Sequence, residues 1–354
     1  MLYPKFPNEL TRGRKSRMFD IVIRNAKVVD GTCNPWFRAN IGIGDGKIAK
    51  ISRIDVGRGD RVIDAKGLIV APGFINQHSH TDQHIEDNNK AENSLRMGLT
   101  TEATCMCGMS RWLEKHGSLN TWRHILEEKG IGENVVTFVG HRSVRVSVMG
   151  EERKGGERYY PTQDEMRKMK AIVERGMKEG AFGLSSGLRY IDGRNATTSE
   201  IIELCKVAAK YGGVYISHLR AESGAFIESV KEIIEVGEKA GIPIAATHHK
   251  ACDRENWGKP NETLRLLKAA REKKRGFLFG RARESEVETY ADQYPYTSGG
   301  ADLIKYLKGK PPLCHPAGIV DPESIPNDHR KFLKYLKDPR RWRKIKREFQ
   351  ASYE

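Results

Sequence analysis

From Gly73 onward, short apolar segments alternate with helical stretches of ten to seventeen residues, and no other feature limits the possible folds as much. A strand that must return parallel to its predecessor needs a crossover about as long as a helix, so this alternation predicts a parallel sheet. Seven strand candidates follow in order: FINQHSH, TTEATCM, NVVTFVGH, GAFGLSS, GVYISHL, IPIAATHH and TYADQYPY. Helices are expected at Thr162 to Lys178, Thr198 to Lys210, Ala225 to Ala240 and Asn261 to Lys274. Candidate chemical residues end several different strands, which fits an α/β fold of the TIM-like (β/α)₈ barrel type better than a doubly wound sheet. A Rossmann sheet would concentrate its chemistry at a G-x-G-x-x-G turn after the first strand; here GIGDG, at 42 to 46, sits inside an earlier β unit as a hairpin turn.

That earlier unit covers residues 19 to 70, where FDIVIRNAKVVDG, ANIGIGDGKIAKIS and RVIDAKGLIVAPG alternate apolar and polar positions, predicting a small antiparallel sheet. The expected organisation is therefore an extension at 1–18, the β unit at 19–70 and the barrel at 71–354. Met1 to Met18 is polar and basic with no central apolar stretch, unlike a secretory signal, and no run approaches a membrane span. A cytoplasmic protein is expected. Six cysteines in a chain of 354 residues then make a poor disulfide framework.

The chain carries 61 Lys and Arg against 46 Asp and Glu, a net charge of +15. Ten of the basic residues lie between Arg330 and Arg347, opposed there only by Asp338. With Phe332, Leu333, Leu336, Trp342 and Ile345 on one side, that segment reads as a solvated outer helix; a nucleic-acid surface is the least favoured partner reading.

His78 and His80 end the first strand in PGFINQHSHTD. Residues two apart on a strand project to one face, so both imidazoles can point at one metal. His218 ends the fifth strand in YISHLR and His248 the sixth in IAATHHK. Four imidazoles at the carboxyl ends of three barrel strands suit zinc. Cys107, in TTEATCMCGMS, is a candidate thiolate ligand, and Cys105 a small buried apolar residue. His249 should face away from the site by strand alternation. His141 and Arg145, in VGHRSVR, admit a structural and a functional reading equally. Asp82 is expected to hydrogen-bond an imidazole of the first pair.

The motifs PGFINQHSHTD, GLTTEATCMCGMS, VGHRSVRVSVMG, EGAFGLSSGLRY, YGGVYISHLRAE, ATHHKACDRENWGK and ADQYPYTSGG, in this order from about Phe19 to Gly300, resemble the N-acyl-D-amino-acid deacylase (D-aminoacylase) branch of the amidohydrolase superfamily. The resemblance implies a zinc-dependent hydrolase with one or two metal ions and the N-terminal β unit as half of a β-sandwich. His78 and His80 match the first metal-ligand pair, Cys107 the metal-bridging cysteine, and His218 and His248 the remaining ligands. GAFGLSSGL has no counterpart of the carboxylated lysine found on strand four of many amidohydrolases, in keeping with a bridging cysteine. Lys250, Tyr190 and Tyr294 match substrate-holding positions, where an ammonium and two hydroxyls would grip the polar ends of an acylated amino acid.

The sequence also departs from the family pattern. The family's proton-moving aspartate at the end of strand eight and its carboxylate-gripping arginine have no match before Glu354, so a barrel incomplete at the C-terminus and lacking the second sandwich half is expected. Asp292, on a different strand, is not expected to substitute. FLFGRARESEVET, at 277–289, lengthens the approach to DQYPY, and Gly300 stands where many members have serine. The reaction implied for a complete enzyme is attack of metal-activated water on the amide of an N-acyl-D-amino acid. The alternatives are a cyclic-amide hydrolase resembling hydantoinase or dihydroorotase, and a zinc-binding fragment that self-associates or is completed by a separately encoded part.

Overall fold

A computed structural model describes residues 19–150, 160–272, 287–295, 337–340 and 343. The expected extension at 1–18, Gly300 and most of both the 277–289 insertion and the basic segment lie outside these residues. The chain divides into two compact units, one running to Phe74 and the other starting at Ile75. Among the described residues no helix is long and apolar enough to cross a membrane.

The first unit is a five-stranded sheet of β1 (Phe19–Val28), β2 (Phe37–Gly44), β3 (Lys47–Ser52), β4 (Gly59–Asp64) and β5 (Ile69–Val70). Strands β2 and β3 form the expected hairpin: Asp45 and Gly46 take φ of 54° and 68°, the left-handed pair that matches strand twist. The sheet is not purely antiparallel, however, because β4 and β5 both pair with β1 in parallel. Alternation fixes which face a residue occupies and says nothing of strand direction; direction is set by the path after β3, which passes β2 and β1 to the far side of the sheet. Ala26, Val28, Ala39, Ile41 and Ala65 make its main apolar cluster.

The second unit holds the seven expected strands in sequence order, in two sheets. One consists of β6 (Phe74–Asn76), β7 (Leu99–Thr104) and β8 (Asn134–Thr137); the other of β9 (Val139–Gly140), β10 (Gly183–Gly187), β11 (Val214–His218), β12 (Ile244–Ala246) and β13 (Thr289–Ala291). The third expected strand is split at Phe138 into β8 and β9, so the described residues show no single closed sheet. Pairing is parallel between β7 and β8 and from β9 through to β13. All five residues of β10 and all three of β12 are buried, as for parallel strands covered on both faces. At Gly183 a Cβ would stand 1.9 Å from the Val214 carbonyl oxygen, so only glycine lets β10 and β11 meet there.

The helices between them are α1 (Glu92–Arg96), α2 (Leu119–Lys129), α3 (His141–Met149), α4 (Gln163–Lys178), α5 (Ile191–Arg194), α6 (Thr198–Ala209), α7 (Phe226–Ala240) and α8 (Lys259–Glu272). Thr162 and Glu165 close a reciprocal capping box at the start of α4, and Thr197 caps α6. Met169, Val173, Ile201, Leu204, Val230 and Ile233 bring the inner faces of α4, α6 and α7 into one core with Leu184, Tyr215 and Ile244 from the strands.

One polar knot stabilises the outer layer. Glu86 Oε1 lies 2.8 Å from His116 Nε2 and accepts from the buried Trp122 indole N–H at 3.0 Å, while Oε2 accepts from Lys115. Burial opposes the carboxylate charge, but the hydrogen bonds from Lys115 and His116 outweigh it and hold the carboxyl at about 2, against an ordinary 4.5. The folded state thus holds its proton less tightly than the unfolded chain, and the stabilisation is full above about 4.5 and lost as pH falls through 2. Glu86→Ala should cost about 1–3 kcal/mol in urea unfolding at neutral pH, because Trp122 is left unpaired. The cost should shrink steadily when the titration is repeated at pH 4 and pH 3 (approximate set points for the test).

Candidate metal centre

The strand ends deliver one compact group of nitrogen and sulfur donors. Cys107 Sγ lies 3.6 Å from His78 Nε2 and 3.6 Å from His218 Nδ1. His218 Nδ1 is in turn 2.9 Å from His248 Nε2. His78, Cys107 and His248 offer ligand atoms within 4.8 Å of one another, and so do His218, Glu222 and His248. His80 packs edge-on to His78 with ring centroids 5.5 Å apart and belongs to neither group. Burial, then the neighbouring His78 and His248, push its pKa down to about 4, so it is a neutral donor at physiological pH. Burial likewise depresses His218.

Local geometry explains how these side chains arrive. Strand β6 stops at Asn76, so the histidine pair is aligned by its loop and not by strand pleating as the sequence spacing suggested. Ser79 and Thr81 each donate to the same Glu102 oxygen, Ser94 donates to the other at 2.8 Å, and Ser79 N donates to the Ala103 carbonyl at 2.9 Å. Cys107 and His248 adopt φ of 55° and 35°, conformations that cost about 1–3 kcal/mol each for residues with a Cβ. His248 is tied down by its amide, which donates to Asp292 Oδ1 at 2.6 Å. A Cβ on Gly187 would stand 2.4 Å from the Cys107 carbonyl oxygen and 2.5 Å from the Tyr190 ring, so glycine is required where these residues close in.

Of the three expected substrate-holding residues, Tyr190 and Lys250 reach this group, Lys250 Nζ lying 3.2 Å from His248 Nδ1, and Tyr294 lies against Lys250. Tyr190 Oη is 3.0 Å from His218 Nδ1, and Lys250 Nζ lies 5.5 Å from the centre of the Tyr294 ring. Asp292 is nearer than its strand suggested, with Oδ2 3.7 Å from His78 Nδ1. The residue that the sequence reading missed is Glu222, four positions after His218 in HLRAE and 4% exposed. Its Oε1 is 2.6 Å from His248 Nδ1 and accepts from Lys250 Nζ at 2.6 Å. Burial opposes its charge, but the hydrogen bond from His248 and the charges around it hold its carboxyl far below the carboxylate range. An acid four positions after a strand-ending histidine was the available signal.

Other expectations resolve structurally. Asp82 Oδ1 accepts from the Cys105 amide at 3.2 Å, not from an imidazole; the Nδ1 atoms of His78 and His80 are buried with no hydrogen-bond partner. Its helical turn points the carboxylate at β7, which spacing alone could not indicate. Cys105 is fully buried, and burial pushes its thiol up to about 12. His249 turns away, with Nε2 2.8 Å from Thr263 Oγ1. His141 and Arg145 both engage Glu200, His141 Nε2 at 2.8 Å, in a buried ionic cluster under α6. Glu200→Ala would remove the carboxylate that joins His141 to Arg145 and should cost about 3–5 kcal/mol in chemical denaturation.

No family model matches the chain. It is 31% identical over 302 residues to an N-acyl-D-glutamate deacylase of Alcaligenes xylosoxydans xylosoxydans, covering 80% of this chain and 58% of that protein. A crystal structure of D-aminoacylase, described as defining a novel subset of amidohydrolases, superposes with a TM-score of 0.70 at 28% identity over 79% of this chain and 59% of the other. An N-acyl-D-glutamate deacylase from Bordetella bronchiseptica, complexed with zinc and a phosphonate mimic of the tetrahedral intermediate, gives 0.70 at 29% identity with the same coverage, 79% and 59%. The chain spans about three fifths of the length of the curated relatives it matches. By sequence and by fold alike, it is a relative of the N-acyl-D-amino-acid deacylase branch of the amidohydrolases.

Proposed function

We propose that this chain carries the metal-binding and substrate-holding part of a zinc-dependent hydrolase that converts an N-acyl-D-amino acid and water to a carboxylate and a D-amino acid. In this reading the extension is 1–18, the sandwich portion 19–70 and the catalytic barrel 71–354. The observation that carries the reading is the meeting of Cys107 with His78 and His218 at 3.6 Å, with His248 beside them. The donor set fits the metal: neutral imidazoles and a thiol suit zinc, and His218 Nε2 and His80 Nδ1 are buried polar atoms without a protein partner.

His78, His80, Cys107, His218 and His248 would hold the zinc. When bound, zinc would polarise the amide carbonyl and acidify the attacking water. The chain's own residues supply the rest. The Lys250 ammonium and the Tyr294 hydroxyl, at the mouth, hold the polar ends of the acylated amino acid. Tyr190 offers its hydroxyl beside His218. Hydrolysis joins the water oxygen to the acyl carbon and breaks the C–N bond, and the proton passes to the leaving amine. Of the described carboxylates, Asp292 and Glu222 approach these imidazoles.

Elemental analysis of the folded chain should find at least one zinc, lost in a His218→Ala, His248→Ala double variant; a well-folded protein free of metal in zinc-containing buffer would overturn the reading. Cys107 should resist alkylation until a chelator is added, whereas exposed Cys33 reacts at once. Labelling of Cys107 at one rate with and without chelator would leave it a core residue only. Hydrolysis of N-acetyl-D-amino acids over their L enantiomers tests the substrate class, and ring opening of a hydantoin in their place would favour the cyclic-amide alternative.

A further inference from the structure

We infer that Glu222 is a positioning residue that sets, through one carboxylate, both the ring orientation of His248 and the place of the Lys250 ammonium. The inference rests on the zinc reading above and extends it to a residue outside the proposed ligand and substrate sets. Glu222 lies in the loop between β11 and α7, where the loops that follow β10 and β12 reach it. Its Oε1 meets His248 Nδ1 and Lys250 Nζ, both at 2.6 Å, and those two nitrogens are 3.2 Å apart, turned to the same oxygen. Its Oε2 is 3.3 Å from an Arg189 guanidinium nitrogen beyond β10 and 3.8 Å from Cys252 Sγ. Its main-chain carbonyl accepts from the Cys252 amide at 2.6 Å, closing the loop of β11 onto the loop of β12.

The consequence for His248 follows from donor and acceptor counting. An ionised carboxylate only accepts, so the hydrogen of a neutral His248 ring sits on Nδ1 and the lone pair on Nε2. Nε2 is the atom that faces His218 Nδ1. Glu222 therefore occupies one edge of the ring while the donor cluster occupies the other, which makes it an orienting group and not a fourth-site ligand. The same oxygen holds Lys250 over the Tyr294 ring, so metal affinity and substrate grip share one anchor. Arg189 balances the carboxylate's remaining oxygen, which explains how a charged group stays ionised while buried.

The experiment compares the wild-type chain with Glu222→Gln, both checked by circular dichroism, using zinc competition against a chromophoric chelator. Hydrogen bonds of this kind are worth about 10–100-fold in metal affinity, so Glu222→Gln should weaken zinc by that factor while still saturating at the wild-type stoichiometry. Cobalt substituted for zinc should keep its thiolate charge-transfer band and its visible absorption intensity in the variant; a changed coordination spectrum would make Glu222 a ligand and overturn the inference. Equal zinc affinity in both proteins would overturn it too, whereas a wild type that binds no zinc would defeat the function proposed above instead. Should the variant not fold, ¹⁵N imidazole spectra of the zinc-loaded wild type decide: His248 must show a protonated Nδ1 and a metal-shifted Nε2, and the opposite assignment ends the proposal.

Discussion

Parallel pairing from β9 to β13 is the constraint on which the rest depends. Each strand ends beside its neighbour's end: Gly187 is opposite His218, and Ser217 opposite Ala246, so loops from successive strands open on one side of the sheet. That register brings His218, His248 and Asp292 together although 74 positions separate His218 from Asp292 along the chain. Burial of β10, β11 and β12 makes the register hard to slip, because a shift of one residue would drive Ser185, Ser186 and Ser217 out of their hydrogen bonds and into apolar surroundings.

The donor cluster is held against local preference. Cys105, Cys107 and His248 all take positive φ, a conformation that unrestrained residues with a Cβ avoid. The restraints are specific: Asp82 on the Cys105 amide, Ser185 Oγ on the Gly108 amide, and Asp292 on the His248 amide. Backbone strain at positions fixed by buried hydrogen bonds is what a preorganised site requires, since the donors must wait in place before anything binds them.

Buried carboxylates recur as organisers in this unit. Glu102 gathers the hydroxyls that flank the first histidine pair, Glu200 ties His141 to Arg145, and Glu222 joins His248 to Lys250. In each case the acid is almost fully buried yet surrounded by donors, so its desolvation is offset by hydrogen bonds and opposite charge. The arrangement separates two roles that look identical in sequence, an acid that would touch a metal and an acid that aims the residue beside it.

The sequence by itself determined the strand succession, the helices between the later strands, the α/β class and the identity of the histidines and cysteine at the strand ends, because hydrophobic period and residue chemistry are local properties. Helices α4, α6 and α7 began within a residue of their expected starts, for the caps and apolar faces that define them lie in contiguous sequence. Only the tertiary structure decided the parallel return of β4, the break at Phe138, the turning of Asp82 toward β7, the approach of Asp292 to His78 and the central place of Glu222. Each of these depends on which groups become neighbours across the fold, and a side chain's partner is set by distance in space, which the order of residues along a chain does not encode one segment at a time.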